Sequence, residues 1–94
     1  MGKSIWPFIL TRSSILGSSQ WSIHWSGDNV ATFDFLRTSI ADNFNSQLFG
    51  FQITGADICG FDESTNAELC ARWYQLGSLY PFCRNHNHRS AIDQ

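Results

Sequence analysis

The sequence carries little positive charge and no run of basic residues. Its 94 residues include 6 lysines and arginines against 8 acidic residues, which gives a formal net charge of -2. A protein that binds nucleic acid neutralises phosphates with a basic stripe, and no such stripe occurs here. We therefore expect no nucleic-acid partner.

Long apolar runs are also missing. The longest apolar stretch, around Ile5 to Leu10, is far shorter than the roughly 20 residues that a membrane-spanning helix needs. Lys3 precedes this stretch, but a full hydrophobic region and a small-residue cleavage site do not follow, so no signal peptide is indicated. We expect no membrane segment in this chain.

Motifs for metals and phosphates are absent too. No Cys-x-x-Cys pair occurs, and His86 and His88 have no cysteine pair at zinc-finger spacing, so we expect no metal site. The sequence has no glycine-rich phosphate loop, and Ser13 and Ser14 lack the context of a nucleophile elbow. No cofactor is predicted.

The cysteine count is 3, an odd number. Cys59 and Cys70 are close enough in sequence to pair, which would leave Cys83 free. The residues alone do not decide this pairing, because disulfides depend on the redox compartment.

Apolar and aromatic residues are what the chain has in quantity. Hydrophobic residues make up 43% of it and charged residues 15%, which excludes a disordered tail. Aromatic residues reach 15%. Flat rings can stack on the apolar faces of sugars, although a buried aromatic side chain more often only packs in a core.

Short apolar runs alternate with longer segments of helical spacing. The predicted strands are Ile5–Thr11, Trp21–Trp25 and Phe51–Ala56, with a polar loop over residues 15–20 and a further loop or strand over residues 82–87. Such alternation predicts βα units around a parallel sheet, and therefore an α/β fold.

The first predicted helix runs from Thr32 to about Gln47, and Gly50 marks its end. Its apolar residues recur every three to four positions and should share one face. These residues are Phe33, Leu36, Ile40 and Phe44.

The second predicted helix begins at a capping box, with Thr65 as N-cap and Glu68 three residues later. It should end near Leu79, before Pro81. Its buried side should be lined by Leu69, Trp73, Leu76 and either Leu79 or Tyr80.

Polar residues cluster where the predicted strands end. Arg12 follows the first strand, Asp28 the second, Asp57 the third, and His86 the segment after Pro81. In an α/β barrel the catalytic groups lie on loops at the carboxyl ends of the strands. The pattern indicates one arc of such a barrel, because a complete barrel needs about 250 residues.

Two of these residues, Asp28 and Asp57, carry carboxylates, and each allows more than one role. Asp28 follows a Ser-Gly pair that permits a tight turn, and from these residues alone a helix cap or an Asx turn is its more common role. Asp57 has apolar flanks and needs a partner or a ligand. Arg12 and Arg84 are the candidate partners. Glycoside hydrolysis, which uses two carboxyl groups, is the chemistry that such residues would serve.

Several short motifs follow one another from about Trp6 to Asn87. They are LTRS at 10–13, HWSGDN at 24–29, LFG at 48–50, GADICGF at 55–61, ELC at 68–70, RW at 72–73, QLG at 75–77, YPF at 80–82 and RNHN at 84–87. In this order and spacing they resemble glycoside hydrolase family 31, in its maltase, sucrase-isomaltase and lysosomal α-glucosidase branch.

The resemblance implies a retaining α-glucosidase that hydrolyses terminal α-linked glucose of an α-glucoside or maltooligosaccharide. It implies a partial (β/α)8 TIM barrel, an arc of about three to four βα units from the second half of the barrel. Residues 1–94 would then be a fragment of the catalytic barrel domain, without its nucleophile-bearing half and the β-sandwich domains. A secretory, lysosomal or extracellular location is suggested by the same resemblance.

The resemblance also implies roles for individual residues. Asp28 corresponds to the general acid/base, and Arg12 to an arginine that contacts both the glucose and the neighbourhood of the acid/base. Trp25 and Phe61 correspond to aromatic walls of the glucose subsite. His86 corresponds to a histidine that binds sugar hydroxyls.

Further residues correspond to supporting positions. Asp57 matches an acidic residue at the pocket floor, bonded to Arg12 or to Arg84, and Arg84 has a structural role. Cys59 and Cys70 match a disulfide pair of secreted and lysosomal relatives.

One departure from the family pattern concerns the nucleophile. The family carries it as an aspartate in a Trp-x-Asp-Met-Asn type of motif, and no such motif occurs in this sequence. The alternative hypothesis is therefore a catalytically inactive truncated fragment, or a weak sugar-binding segment.

Overall fold

Strands alternate with helices along the chain, as the sequence predicts, except that two short strands follow each other after the first long helix. The structure is a computed structural model that describes Ile5 and residues 7–94. Its elements are β1 (Leu10–Thr11), β2 (Ile23–Trp25), α1 (Phe33–Leu48), β3 (Thr54–Gly55), β4 (Asp57–Ile58), α2 (Ala67–Gly77) and β5 (Arg84–Asn85), with a short 3-10 helix at Ser18–Gln20.

The strands of the described residues all pair in parallel. β1, β2 and β3 form one sheet in that order, with Leu10 opposite Ile23 and Trp25 opposite Gly55. β4 and β5 form a second parallel pair, with Asp57 opposite Arg84. The α/β prediction is confirmed, and the carboxyl ends of neighbouring strands lie at the same edge of each sheet.

The strands are shorter than predicted. Only Leu10–Thr11 of the first predicted strand is extended and paired, and its Trp6 lies outside the described residues. The third predicted strand was wrong at its start, because Phe51 closes the turn that follows α1. Its N–H donates to the carbonyl of Ser46, and the N–H of Gly50 donates to that of Gln47, the two bonds of a Schellman motif. Gly50 has the positive φ of 96° that this motif requires.

Helix α1 begins and ends close to the predicted positions. Thr32 is its N-cap, with Oγ1 accepting from the N–H of Phe35. The predicted apolar face is only partly buried: Leu36 packs against the core, whereas Phe33, Ile40 and Phe44 are exposed. The helix instead buries the polar residues Ser39 and Asn43. The Ser39 hydroxyl is bonded to the Tyr80 hydroxyl, so a polar contact joins α1 to the segment after α2.

Helix α2 is capped one residue later than predicted. Asn66 is the N-cap, and its Oδ1 accepts from the N–H of Leu69 at 2.9 Å. The capping box was therefore wrong. Thr65 lies buried before the helix, and Glu68 forms an ion pair with Arg72 one turn ahead instead of folding back. A short amide reaches the free N–H groups as well as a hydroxyl does, so the sequence pattern did not distinguish the two residues.

The core lies between β4 and α2. Leu69 and Trp73 are fully buried as predicted, Leu76 is partly buried, and Tyr80 rather than Leu79 completes this side. The helix ends at Gly77, where Ile58 packs so closely that a Cβ on the glycine would collide with it. The core residues are Ala31, Ala56, Ile58, Cys59, Leu69, Trp73 and Tyr80.

The Cys59–Cys70 disulfide is present and joins the segment after β4 to helix α2. Cys83, also within the described residues, is exposed and lies outside any disulfide. Among the described residues no helix combines the length and the apolar character needed to cross a membrane.

Candidate active site

The polar residues singled out by the sequence lie at the strand ends. Arg12 directly follows β1, and Asp28 lies three residues after β2. Asp57 opens β4 and Arg84 opens β5, opposite each other in the parallel pair. His86 directly follows β5. Parallel pairing thus brings the ends of β1 and β2, with Arg12 and Asp28, to one edge of the first sheet, and Asp57 opposite Arg84 in the second.

Asp28 lies beside Arg12. The Nη1 atom of Arg12 donates to Oδ2 of Asp28 at 3.2 Å, and the side chains are 55% and 45% exposed, respectively. An ion pair so open to water adds little to stability. Its effect is on geometry. The guanidinium of Arg12 orients the Asp28 carboxylate, which stays accessible to a substrate.

Gly27 makes this arrangement possible. Its φ of 85° lies in the left-handed region that favours glycine. A Cβ at this position would collide with the guanidinium of Arg12. The turn before Asp28 therefore favours glycine because of its backbone conformation, and a side chain here would also displace the guanidinium of Arg12.

Asp28 does not cap the following helix, since Thr32 performs that role. Of the two ordinary roles of such an aspartate, the helix cap is therefore excluded for α1. Its side chain is directed to Arg12, across a sequence separation of 16 residues.

Asp57 is completely buried and paired with Arg84. Both Nε and Nη2 of Arg84 donate to Oδ1 of Asp57. Of the two candidate partners, the structure selects Arg84, while Arg12 pairs with Asp28. The other carboxylate oxygen, Oδ2, is buried and has no hydrogen-bond partner among the described residues. An unsatisfied buried acceptor is costly, because the group has lost its hydrogen bonds with water.

Several charged groups of the site act on the pKa of the Asp57 carboxyl. Burial raises the pKa of its carboxyl above the ordinary value, although the hydrogen bond and the charge of Arg84 act in the opposite direction. The charge of His86 also lowers this pKa, and the charge of Asp28 raises it. Asp57 therefore interacts electrostatically with both of the more exposed groups at this edge.

The aromatic residues line the same region. The guanidinium carbon of Arg84 lies 5.4 Å from the centre of the Trp25 ring, within the range of a cation–π contact. The Phe61 ring stacks on His86 with centres 5.0 Å apart, and His88 meets its edge at 5.7 Å. Trp25 thus joins the Asp57–Arg84 pair, and Phe61 forms one surface with His86.

The sequence did not single out Asn29, which links these parts. Its Nδ2 donates to the carbonyl of Asp57 at 3.0 Å, and its Oδ1 accepts from the N–H of Phe61 at 3.1 Å. The residue is only 5% exposed. The available signal was a polar residue directly before the apolar pair Val30-Ala31, but a single such residue has many ordinary explanations.

Residues 3–94 match the family model of the TIM-barrel domain of the glycosyl hydrolases family 31. The chain belongs to this family. The match covers nearly the whole chain, so the described residues form a partial TIM-barrel region, and the parallel strand pairs are part of its sheet.

Named relatives and solved structures are similar to most or all of this chain. The chain is 53% identical over 94 residues to the lysosomal acid alpha-glucosidase of Tetrahymena pyriformis, which covers all of this chain and 10% of the relative. It is 52% identical over 80 residues to the intestinal sucrase-isomaltase of Homo sapiens, 85% of this chain and 4% of the relative. The glucosidase II alpha subunit, solved with alpha3-Glc2 bound, superimposes with a TM-score of 0.89 at 40% identity, over 93% of this chain and 9% of that one. The chain thus spans a tenth or less of the length of these family 31 proteins.

Proposed function

We propose that this chain carries the acid/base side of a retaining α-glucosidase site, with Asp28 as the general acid/base. The observation that carries the proposal is the accessible Asp28 carboxylate, oriented by Arg12 at the edge where Asp57 is buried. Relatives named as α-glucosidases support it, since they match the whole span that holds these residues.

In the proposed reaction, Asp28 protonates the glycosidic oxygen as the bond to the leaving group breaks. It then removes a proton from the water that attacks the glycosyl-enzyme. Arg12 orients the carboxylate, and its remaining N–H groups are free to contact the sugar. An exposed carboxylate suits this role, because it exchanges protons with both the leaving group and water.

The second carboxylate that this reaction needs is a nucleophile. Asp57 is a poor candidate, because its Oδ1 is bonded twice to Arg84 and the side chain is fully buried. The proposal therefore places the nucleophile in a part of the barrel outside these residues, in agreement with the absence of the family's nucleophile motif. Residues 1–94 would then be an arc of three to four βα units from the second half of the catalytic barrel.

The glucose at the non-reducing end is proposed to bind between the aromatic residues. Trp25 and Phe61 would supply the walls, and His86 would bind sugar hydroxyls beside Phe61. Asp57 is proposed as the acidic residue beneath this subsite, where its buried carboxylate holds Arg84 in place. The substrate class is an α-glucoside or maltooligosaccharide.

A different observation favours the second hypothesis for the isolated chain. At this edge the Asp28 carboxylate is accessible, whereas the Asp57 carboxylate is buried and bonded to Arg84. A double displacement needs two carboxyl groups that reach the substrate. The chain alone is then an inactive segment, or one that binds sugar weakly.

The test needs a polypeptide that supplies the rest of the site. We would build a chimera in which this chain replaces the matching segment of the Tetrahymena pyriformis enzyme, with which it aligns over 94 residues. The variant Asp28→Asn should lower kcat/KM on maltose about 100- to 10,000-fold, the range of general acid–base catalysis. Asp42→Asn, on the exposed side of α1, is the control and should retain activity.

Two results would refute the proposal: full maltase activity in Asp28→Asn, or an inactive chimera that is correctly folded. The isolated chain, assayed with p-nitrophenyl α-glucoside, addresses the second hypothesis. Turnover close to that of the chimera would eliminate the inactive-segment hypothesis.

A further inference from the structure

Asn29 is the residue through which the loop of Asp28 is attached to the loop of Asp57 and Phe61. Its side-chain amide uses both ends: Nδ2 donates to the Asp57 carbonyl at 3.0 Å, and Oδ1 accepts from the Phe61 N–H at 3.1 Å. Its own carbonyl accepts from the N–H groups of Phe61 and Asp62, at 2.8 and 2.9 Å. The two loops are thus joined by four hydrogen bonds at one buried residue.

Asp28 has few other restraints. Its side chain is held by an ion pair that is about half exposed on both sides, and such pairs contribute little to stability. Gly27, directly before it, lacks a side chain that could pack. The backbone of Asp28 is therefore held between two anchors, the bond from the Ser26 N–H to the Gly55 carbonyl on one side and the bonds of Asn29 on the other.

We propose that Asn29 is a positioning residue for the acid/base. It fixes the Asp28 carboxyl relative to the sugar-binding residues of the loop at residues 57–61. This inference rests on the proposed function of Asp28. It extends that function, because it names the residue that sets the distance between the Asp28 carboxyl and the proposed sugar-binding residue Phe61.

An amide is the side chain that these contacts require. Aspartate in its place would lose the donor to the Asp57 carbonyl and put a carboxylate against a carbonyl oxygen. A longer side chain with the same amide would keep both bonding groups but shift them by a methylene group. Because misplacement of a reacting group by about 1 Å can cost about 100-fold in rate, both changes should be visible in kinetics.

The experiment uses the same chimera and two substrates. Maltose has a poor leaving group, which needs protonation by the acid, whereas α-glucosyl fluoride has a leaving group that needs little help. The quantity compared is kcat/KM, since it reports the steps up to release of the leaving group. Asn29→Asp should lose about 100-fold on maltose and much less on the fluoride, as Asp28→Asn should.

Asn43→Asp is the matched control. Asn43 is also a buried asparagine whose Nδ2 donates to a backbone carbonyl, that of Ser39 at 2.8 Å, but it lies within α1. It should change stability without changing the ratio between the two substrates. Should Asn29→Asp fail to fold, Asn29→Gln carries the test under the same criterion, a loss selective for maltose.

The outcomes separate the two proposals. Equal losses on maltose and fluoride in the Asn29 variants, with a maltose-selective loss in Asp28→Asn, would overturn the positioning role and leave the function of Asp28 intact. An unchanged kcat/KM on both substrates in Asn29→Asp would overturn it too. Full maltase activity in Asp28→Asn would instead refute the proposed function itself.

Discussion

Helices α1 and α2 both carry apolar residues at a spacing of three to four, more weakly segregated to one face in α1, and they differ in what those residues contact. Trp73 of α2 is fully buried, and Leu69 one turn before it is nearly so, at 1% exposed. Phe44 of α1 is 65% exposed, and Ile40 one turn before it is 40% exposed. An apolar repeat thus determines which residues share a face, and not whether another element covers that face.

The difference follows from what lies opposite each helix. α2 faces β4, where Ile58 packs against Gly77 and the Cys59–Cys70 disulfide adds a covalent link. Beside α1, a cavity of about 230 Å³ lies between the two helices. Its lining residues are Ile40, Asn43, Phe44, Gln47, Leu76, Leu79, Tyr80 and Pro81. Ile40 and Phe44 of α1 border this gap, and the inward contacts of the helix include Leu36 and the polar Ser39–Tyr80 pair.

The comparison is tested most strongly by removing one aromatic ring from each helix. Trp73→Ala should lower the free energy of unfolding by about 3 to 5 kcal/mol, because it opens a cavity in the core. Phe44→Ala should change it by no more than about 0.5 kcal/mol, as is usual for exposed positions. Urea denaturation of the chain, followed by circular dichroism at 222 nm, measures both. Equal losses would show that α1 is as well packed as α2.

A smaller effect is expected from the disulfide, which belongs to the α2 side. Replacing Cys59 and Cys70 together by alanine should cost about 3 kcal/mol, by the loop-entropy relation for a link of this length, here a sequence separation of 11. Cys83→Ala is the control and should leave the unfolding midpoint unchanged, since this side chain is exposed and outside the bridge. A double variant as stable as the parent would mean that packing of β4 on α2 holds this region unaided.

The smallest effect concerns the start of α2. Asn66→Ala removes the cap and should cost about 1 kcal/mol. Thr65→Val should cost little or be neutral, because the Thr65 hydroxyl is buried without a hydrogen-bond partner among the described residues. The same denaturation measurement applies. A larger loss in Thr65→Val than in Asn66→Ala would reinstate Thr65 as the cap.

Local patterns predicted the elements well where the physical cause is itself local. The spans of α1 and α2 agree with the prediction to within one or two residues at most ends, because caps and apolar repeats act within a single turn. The predicted start of the third strand at Phe51 was wrong, because the local pattern there fits two structures equally well. An apolar residue after a helix can close a Schellman motif or open a strand, and both need the same residue type.

The placement of the polar residues beside the strands was predictable from the sequence, and their pairing was not. Arg12, Asp28, Asp57 and His86 were each located by their position after an apolar run. Which arginine pairs with Asp57 was left open, and the structure chooses Arg84 because β4 and β5 pair with these two residues opposite each other. The separation of 27 residues between them exceeds the range of any local pattern.

The sequence by itself determined the α/β alternation, the two helices and the family to which the chain belongs, because each of these is encoded in short motifs and their order. The tertiary structure alone decided which face of α1 is covered, which partner each carboxylate has, and that Asn29 joins the two loops. These features depend on contacts between segments that are far apart in the chain. Such contacts form only when the strands pair in one register, and the register is a property of the whole fold.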